Sequence, residues 1–278
     1  MKNNLKSKKY FFLLLLSILS LRSFAQDAPE EEKKSIDEIA KEMSNPTLPM
    51  FNFAFFYEYQ NLTGDLPGAD NQNVNLFALQ PPLPFPLKKA NLLIRPLIPI
   101  LFAQPVYGAN DFESAGSVHL GDIPIDILLA STNEKGVMKG IGLIANLPTA
   151  TNPEIKGEWA IGPSLLFGLI KKHVFVLILN NSFQLGGDDK QSILGGQYVA
   201  AFTLKDGWQI VASPPFSYNW STKALTLPIG GGPFRTVMIG SVPVKMGVQF
   251  NYFVSQPDPL GPKWAIRLNI TPRLKRPW

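Results

Sequence analysis

Val242-Pro243-Val244-Lys245-Met246-Gly247-Val248-Gln249-Phe250-Asn251-Tyr252-Phe253-Val254 divides almost completely by parity. Val242, Val244, Met246, Val248, Phe250, Tyr252 and Val254 fall on one side, and Pro243, Lys245, Gly247, Gln249, Asn251 and Phe253 on the other. A strand sends successive side chains to opposite faces, so the stretch is a β-strand with one apolar and one mostly polar face. At about 3.3 Å per residue it would run roughly 40 Å, far beyond the five or six residues of an ordinary globular strand. A tilted strand crosses a bilayer with about 9–11 residues. This one is long enough to do so.

Composition agrees with a β-rich envelope protein. Of 278 residues, 45% are hydrophobic and only 17% charged, with 22 glycines and 25 prolines. That balance suits strands joined by turns better than a helical enzyme. The absence of cysteine excludes a disulfide scaffold and thiolate metal or redox chemistry. Net charge is +5, but Lys2, Lys6, Lys8 and Lys9 sit in the first ten residues. A basic start, the apolar run Phe11–Leu21 and the small-x-small site Ser23-Phe24-Ala25 make residues 1–25 a cleavable signal peptide. Cleavage removes most of the basic excess and, with it, the case for a nucleic-acid partner.

Residues 26–50 read as a periplasmic leader. The charged stretch Gln26–Lys34 precedes Ser35, an N-cap for one short amphipathic helix with Ile36, Ile39, Ala40 and Met43 at helical spacing and Asn45-Pro46 as the stop. Such a helix is a leader or a lid on a barrel mouth; a partner-binding helix is the other reading. From Phe51 to the end at Trp278 the chain is strand, turn, strand, about twelve times. Asp206-Gly207 marks a tight hairpin, and Gly230-Gly231-Gly232 reads as a loop. Long polar connections follow the first, third, fifth and seventh strands, while short, often basic ones hold Lys88-Lys89, Lys171-Lys172 and Lys205-Asp206-Gly207. Aromatics gather at strand ends, at Phe51, Trp159, Phe183, Trp208, Trp220 and Trp264. A soluble sandwich explains alternation, but not the loop asymmetry together with many long strands. The expectation is an all-β fold, a single transmembrane up-and-down antiparallel β-barrel with a short N-terminal helix.

In such a barrel the apolar face meets lipid and the more polar face the lumen. Parity places Glu58, Arg95, Asp122, Asp126, Glu158, Lys245, Gln249, Asn251 and Arg267 inside, lining a permeant path. The charges there can pair across a narrow interior or bind what passes. Phe56, Leu93, Leu97, Leu101, Leu166, Val199 and Val211 share the luminal parity, so the path suits a small apolar or aromatic solute. Catalytic signals are thin. His119 lies beside a loop and His173 in a turn, where solvation is expected; neither sits in the run a barrel phospholipase needs, and no nucleotide-binding motif appears. No metal or cofactor is expected, and the protein is not read as an enzyme.

Short blocks in order then carry a resemblance from about Ile39 to Thr271. They include Arg95-Pro96-Leu97-Ile98-Pro99, Leu120-Gly121-Asp122-Ile123, Leu147-Pro148-Thr149-Ala150-Thr151, Trp159-Ala160-Ile161-Gly162-Pro163 and Asp206-Gly207-Trp208. In these the chain resembles the phenol-degradation meta-pathway family of outer-membrane β-barrels. The resemblance implies a barrel that moves small hydrophobic or aromatic compounds, and no catalytic motif. The expected function is passive passage through the outer membrane of a Gram-negative type cell, with lipid and a small-molecule permeant as partners. The alternative is a structural or interaction barrel without transport.

Overall fold

In the computed structural model, residues 34–108, 111–114, 118–187 and 190–276 are described. The expected signal peptide, the charged stretch up to Lys33 and the last two residues lie outside them. The chain forms one closed antiparallel barrel of twelve staves. In order these are β1 (Phe51–Asn52 and Ala54–Thr63), β2 (Asn73–Gln80 and Leu83–Pro86), β3 (Asn91–Pro96 and Ile98–Ala103), β4 (His119–Leu120 and Ile123–Thr132), β5 (Val137–Leu147) and β6 (Ala160–Ile170). They continue with β7 (Val174–Gln184), β8 (Ser192–Thr203), β9 (Trp208–Ala212 and Pro215–Asn219), β10 (Leu225–Ile239), β11 (Val242–Ser255) and β12 (Gly261–Leu274). Each stave pairs with its sequence neighbours, and β12 pairs back onto β1 from Ile270↔Phe55 to Gly261↔Thr63. Among the described residues closure leaves the barrel sheet no edge strand, which hydrocarbon cannot tolerate because each unpaired N–H or C=O there costs several kcal/mol.

Five staves are interrupted once, three of them beside proline: at Pro81-Pro82, after Pro96 and at Ser213-Pro214. Proline lacks the N–H that a ladder needs. The widest break lies between β9 and β10. Among the described residues the ladder stops at Val211↔Gly232 and resumes at Ser217↔Thr226. Tyr198 on β8 reaches past this break and donates its hydroxyl to the Pro228 carbonyl at 2.8 Å.

Both the helix and the loop asymmetry set the polarity of the barrel. Short turns join β2 to β3, β4 to β5, β6 to β7, β8 to β9 and β10 to β11, at the same end as Phe51 and Leu274. Longer connections close the other end, among them one after β3 that forms its own small hairpin (Pro105–Tyr107 with Phe112–Ser114) and one after β5 with a 3-10 turn at Pro153–Ile155. Helix α1 (Ile36–Met43) begins with a complete capping box. Ser35 Oγ accepts from the Glu38 amide, and Glu38 Oε2 accepts from the Ser35 amide.

The triglycine is strand, not loop. Gly230, Gly231 and Gly232 lie inside β10, which continues without a turn to Ile239. A Cβ on Gly230 would stand 2.0 Å from the Phe250 carbonyl oxygen, and one on Gly232 2.0 Å from that of Val248. The residues are glycine because β10 and β11 approach too closely for side chains, a packing reason that local sequence does not show. The turn comes instead at Gly240, whose φ of 61° is left-handed.

The outer surface is an apolar band. In β6, Ile161, Leu165, Phe167 and Leu169 are exposed while Gly162, Ser164 and Leu166 are buried. In β11, Met246, Val248, Phe250, Tyr252 and Val254 point out, and Lys245, Gln249, Asn251 and Phe253 point in. Val244 departs from the pattern: it is buried, between Val237 and Pro272 on the flanking staves. Aromatics occupy both rims, with Trp208 at the turn end and Trp159, Phe183 and Trp220 at the loop end, all exposed. Interface belts of amphipathic rings have this placement.

Candidate functional site in the barrel lumen

The interior is divided lengthwise and crosswise. Around β3 to β10 the inward side chains form a packed apolar cluster that includes Leu93, Leu128, Met138, Leu166, Val176, Ile178, Val211 and Phe234. Polar groups concentrate on β1, β11 and β12, the staves that close the barrel. There Glu58, Arg267, Gln249 and Asn251 are buried. Glu58 and Arg267 are direct cross-strand neighbours and form a buried ion pair through Arg267 Nε and Glu58 Oε2. The other Glu58 oxygen accepts from Gln60 Nε2 at 2.6 Å, and the Arg267 guanidinium lies 4.3 Å from the centre of the Phe56 ring.

This belt continues across the lumen to the break in β9. Gln249 Nε2 donates to Ser213 Oγ at 2.9 Å, and its carbonyl oxygen accepts from the Ser213 amide at 3.1 Å. Gln197 Nε2 donates to the Ser213 carbonyl at 2.8 Å. The interruption at Ser213-Pro214 therefore has its backbone polar groups satisfied by inward glutamines from β8 and β11. Arg267 lines cavities on both sides of the belt. One, of about 290 Å³, lies toward the long loops and includes Glu58, Asn251, Phe253, Phe216 and Pro228. The other, of about 210 Å³, lies toward the turns and includes Phe56, Arg95, Val199, Phe234, Lys245 and Gln249.

The floor of the turn-end cavity is the segment after α1. Met43, Ser44, Asn45, Pro46, Leu48 and Met50 line it. Ser44 Oγ accepts from Lys245 Nζ at 2.7 Å and faces Gln209 Oε1 at 3.2 Å. Asn45 donates to Thr132 Oγ1 at 3.4 Å, and the Thr47 carbonyl accepts from Asn91 Nδ2 at 2.8 Å. The helix itself is tied to the rim, where the Gly207 amide donates to Asp37 Oδ1 at 2.6 Å and Arg273 binds Glu42 and the Ile39 carbonyl. Ala40, Met43, Asn45 and Thr47 are all buried. Residues 35–50 are thus seated in the short-turn mouth of the barrel. The helix and its stop have local signals in the sequence; the hydrogen bonds from small polar residues at 44–47 to luminal side chains far along the chain have none.

The nine expected luminal residues separate into groups. Glu58, Lys245, Gln249, Asn251 and Arg267 are brought together inside. Arg95 and Asp126 are directly opposite each other in the β3–β4 ladder, yet Asp126 accepts from Ser164 Oγ at 3.0 Å and Arg95 Nη1 is buried with no hydrogen-bond partner among the described residues. Asp122 and Glu158 stand elsewhere. Asp122 occupies the interruption in β4 and accepts from the amides of Ala150 at 2.9 Å and Gly157 at 2.6 Å, so it ties down the loop after β5. Glu158 precedes β6 and is exposed at the loop rim. Both positions lie outside continuous strand, where alternation no longer applies. His173 is half-buried rather than solvated; its Nδ1 accepts from the Thr203 amide at 3.2 Å and its ring packs on Phe202.

A solved outer membrane channel from Pseudomonas putida F1 superposes with a TM-score of 0.59 at 14% identity, covering 89% of this chain and 98% of that one. The fold is that of an outer-membrane β-barrel. The beta domain of a Bordetella autotransporter covers 81% of this chain and 100% of its own at 10% identity and a TM-score of 0.45. No protein-family model and no curated protein matches the chain.

Proposed function

We propose that the chain is an outer-membrane channel for passive passage of small apolar or aromatic solutes, exported by its signal peptide and inserted with long loops outside and short turns in the periplasm. The observation that carries this reading is the lumen: two cavities, one on each side of the polar belt and both lined by Arg267, the turn-end one walled by the apolar side chains of Leu93, Val199, Val211 and Phe234. A purely structural barrel would gain most by packing its interior throughout, since cavities forfeit contacts. The resemblance to the phenol-degradation family supports the solute class, and the shared fold with a Pseudomonas outer membrane channel supports passage itself. No cofactor or reaction is part of this reading.

Residues 35–50 sit in the turn-end mouth and line its cavity, so they stand on the path a permeant would take. The test is single-channel recording in planar bilayers on the full mature protein and on a chain lacking 35–50, both checked for heat-modifiable migration. The expected result is small, infrequent openings for the full protein and larger, persistent conductance for the shortened one. If both fold and neither conducts, the interaction-barrel reading takes the place of this one.

A further inference from the structure

The turn-end cavity carries an unusual charge arrangement. Arg95, Lys245 and Arg267 all line it, and among the described residues no Asp or Glu does. Arg267 is neutralised by Glu58, which lines only the cavity on the loop side. Asp126, opposite Arg95 in the ladder, accepts from Ser164 Oγ through Oδ1 and lies outside the lining. Lys245 is buried; among the described residues its acceptor is the Ser44 hydroxyl, with the Phe234 ring 5.4 Å away. Arg95 Nη1 is buried with no acceptor at all among the described residues. Lys245 is a buried amine and Arg95 a half-buried guanidinium with one buried N–H group left without an acceptor among the described residues, and each is costly because a buried charge is expected to be paired and an unsatisfied donor loses its water without replacement. Among the described residues neither makes an ion pair, whereas the same lumen builds one at Glu58 and Arg267.

The remaining lining says what shape of anion would relieve that cost. Phe56, Leu93, Val199, Val211 and Phe234 make up the apolar part of the same cavity's wall. A hydrated inorganic ion would leave this wall unused, and a neutral aromatic would leave the cations unpaired. We infer that the turn-end cavity binds a small organic monocarboxylate with an apolar body, its carboxylate taken by Arg95 and Lys245 and its body set against the Val199–Phe234 wall. A planar guanidinium edge is suited to bind a carboxylate through parallel N–H donors. This rests on reading the lumen as a passage, and it narrows the solute class from apolar compounds in general to amphipathic acids. Ser44, in the segment after α1, accepts from Lys245 Nζ, so an acid that draws Lys245 away competes with that contact.

The test is titration calorimetry on the full mature protein in detergent with three probes. Benzoate has both the charge and the body, benzamide the body alone, and acetate the charge alone. Benzoate is expected to bind at least about tenfold more tightly than either, the factor that one charge-assisted hydrogen bond supplies. Arg95→Gln is expected to remove about that factor for benzoate and leave benzamide unchanged. Equal binding of benzoate and benzamide, or of benzoate and acetate, or no benzoate binding by folded protein, overturns the assignment. The comparison among probes needs no variant, so misfolding of Arg95→Gln does not obscure it. Conductance without benzoate preference overturns the site alone; benzoate binding without conductance overturns the channel reading alone.

Discussion

Glu58 and Arg267 lie 209 residues apart in sequence and meet only because the first and last staves of the barrel pair. Their separate inward positions follow from parity; their contact needs the register of closure, which no local pattern contains. Glu58→Gln leaves the buried guanidinium without its counter-charge, and breaking one side of a buried pair costs about 3–5 kcal/mol. The expected outcome is a marked fall in the urea midpoint of barrel unfolding, partly restored by adding Arg267→Met. A Glu58→Gln midpoint equal to wild type would show the pair to be solvated. Lys245, Gln249 and Asn251 were legible for the same reason as Glu58, since they sit within an unbroken alternation. Asp122 and Glu158 were not, because one occupies a strand break and the other lies before a strand begins.

Among the elements, β10 departs most from its local sequence. Triglycine followed by proline carries every sign of a loop, yet β10 runs through it from Leu225 to Ile239. Tertiary packing overrides propensity here, because β11 presses its backbone to about 2 Å from where a Cβ would stand. Gly230→Ala is therefore expected to destabilise the barrel by roughly 1–3 kcal/mol, the usual cost of overpacking. Gly240→Ala provides the contrast: nothing lies within 4 Å of its Cβ position, and its left-handed φ alone costs roughly 1–2 kcal/mol. Only the first variant is expected to alter cross-strand contacts between Gly230 and Asn251 by NMR. If both variants left the β10–β11 resonances alike, the close approach would not be the reason for glycine. Helix α1 shows the opposite balance. Ser35, Glu38 and the spacing of Ile36, Ala40 and Met43 were enough to place it, but its seat in the turn-end mouth depends on Lys245, Gln209 and Arg273.

At the scale of the whole molecule, the barrel inverts the polarity of a soluble protein, with an apolar exterior and a lumen part packed, part polar. Twelve strands, loop asymmetry and rim aromatics were all legible, because each repeats many times along the chain. The lengthwise division of the lumen was not, since it depends on which staves come to lie side by side. The central claim is that the even face of β11 meets lipid and the odd face the interior. Its most direct measurement uses the absence of cysteine, which lets single nitroxide labels be placed at successive positions from 245 to 254 without background. Electron paramagnetic resonance in proteoliposomes then reports collisions with dissolved oxygen, which concentrates in hydrocarbon. The account predicts a period of two, with high oxygen accessibility at 246, 248, 250, 252 and 254 and low accessibility at 245, 249, 251 and 253. Maxima at the odd positions, or no alternation at all, would contradict it.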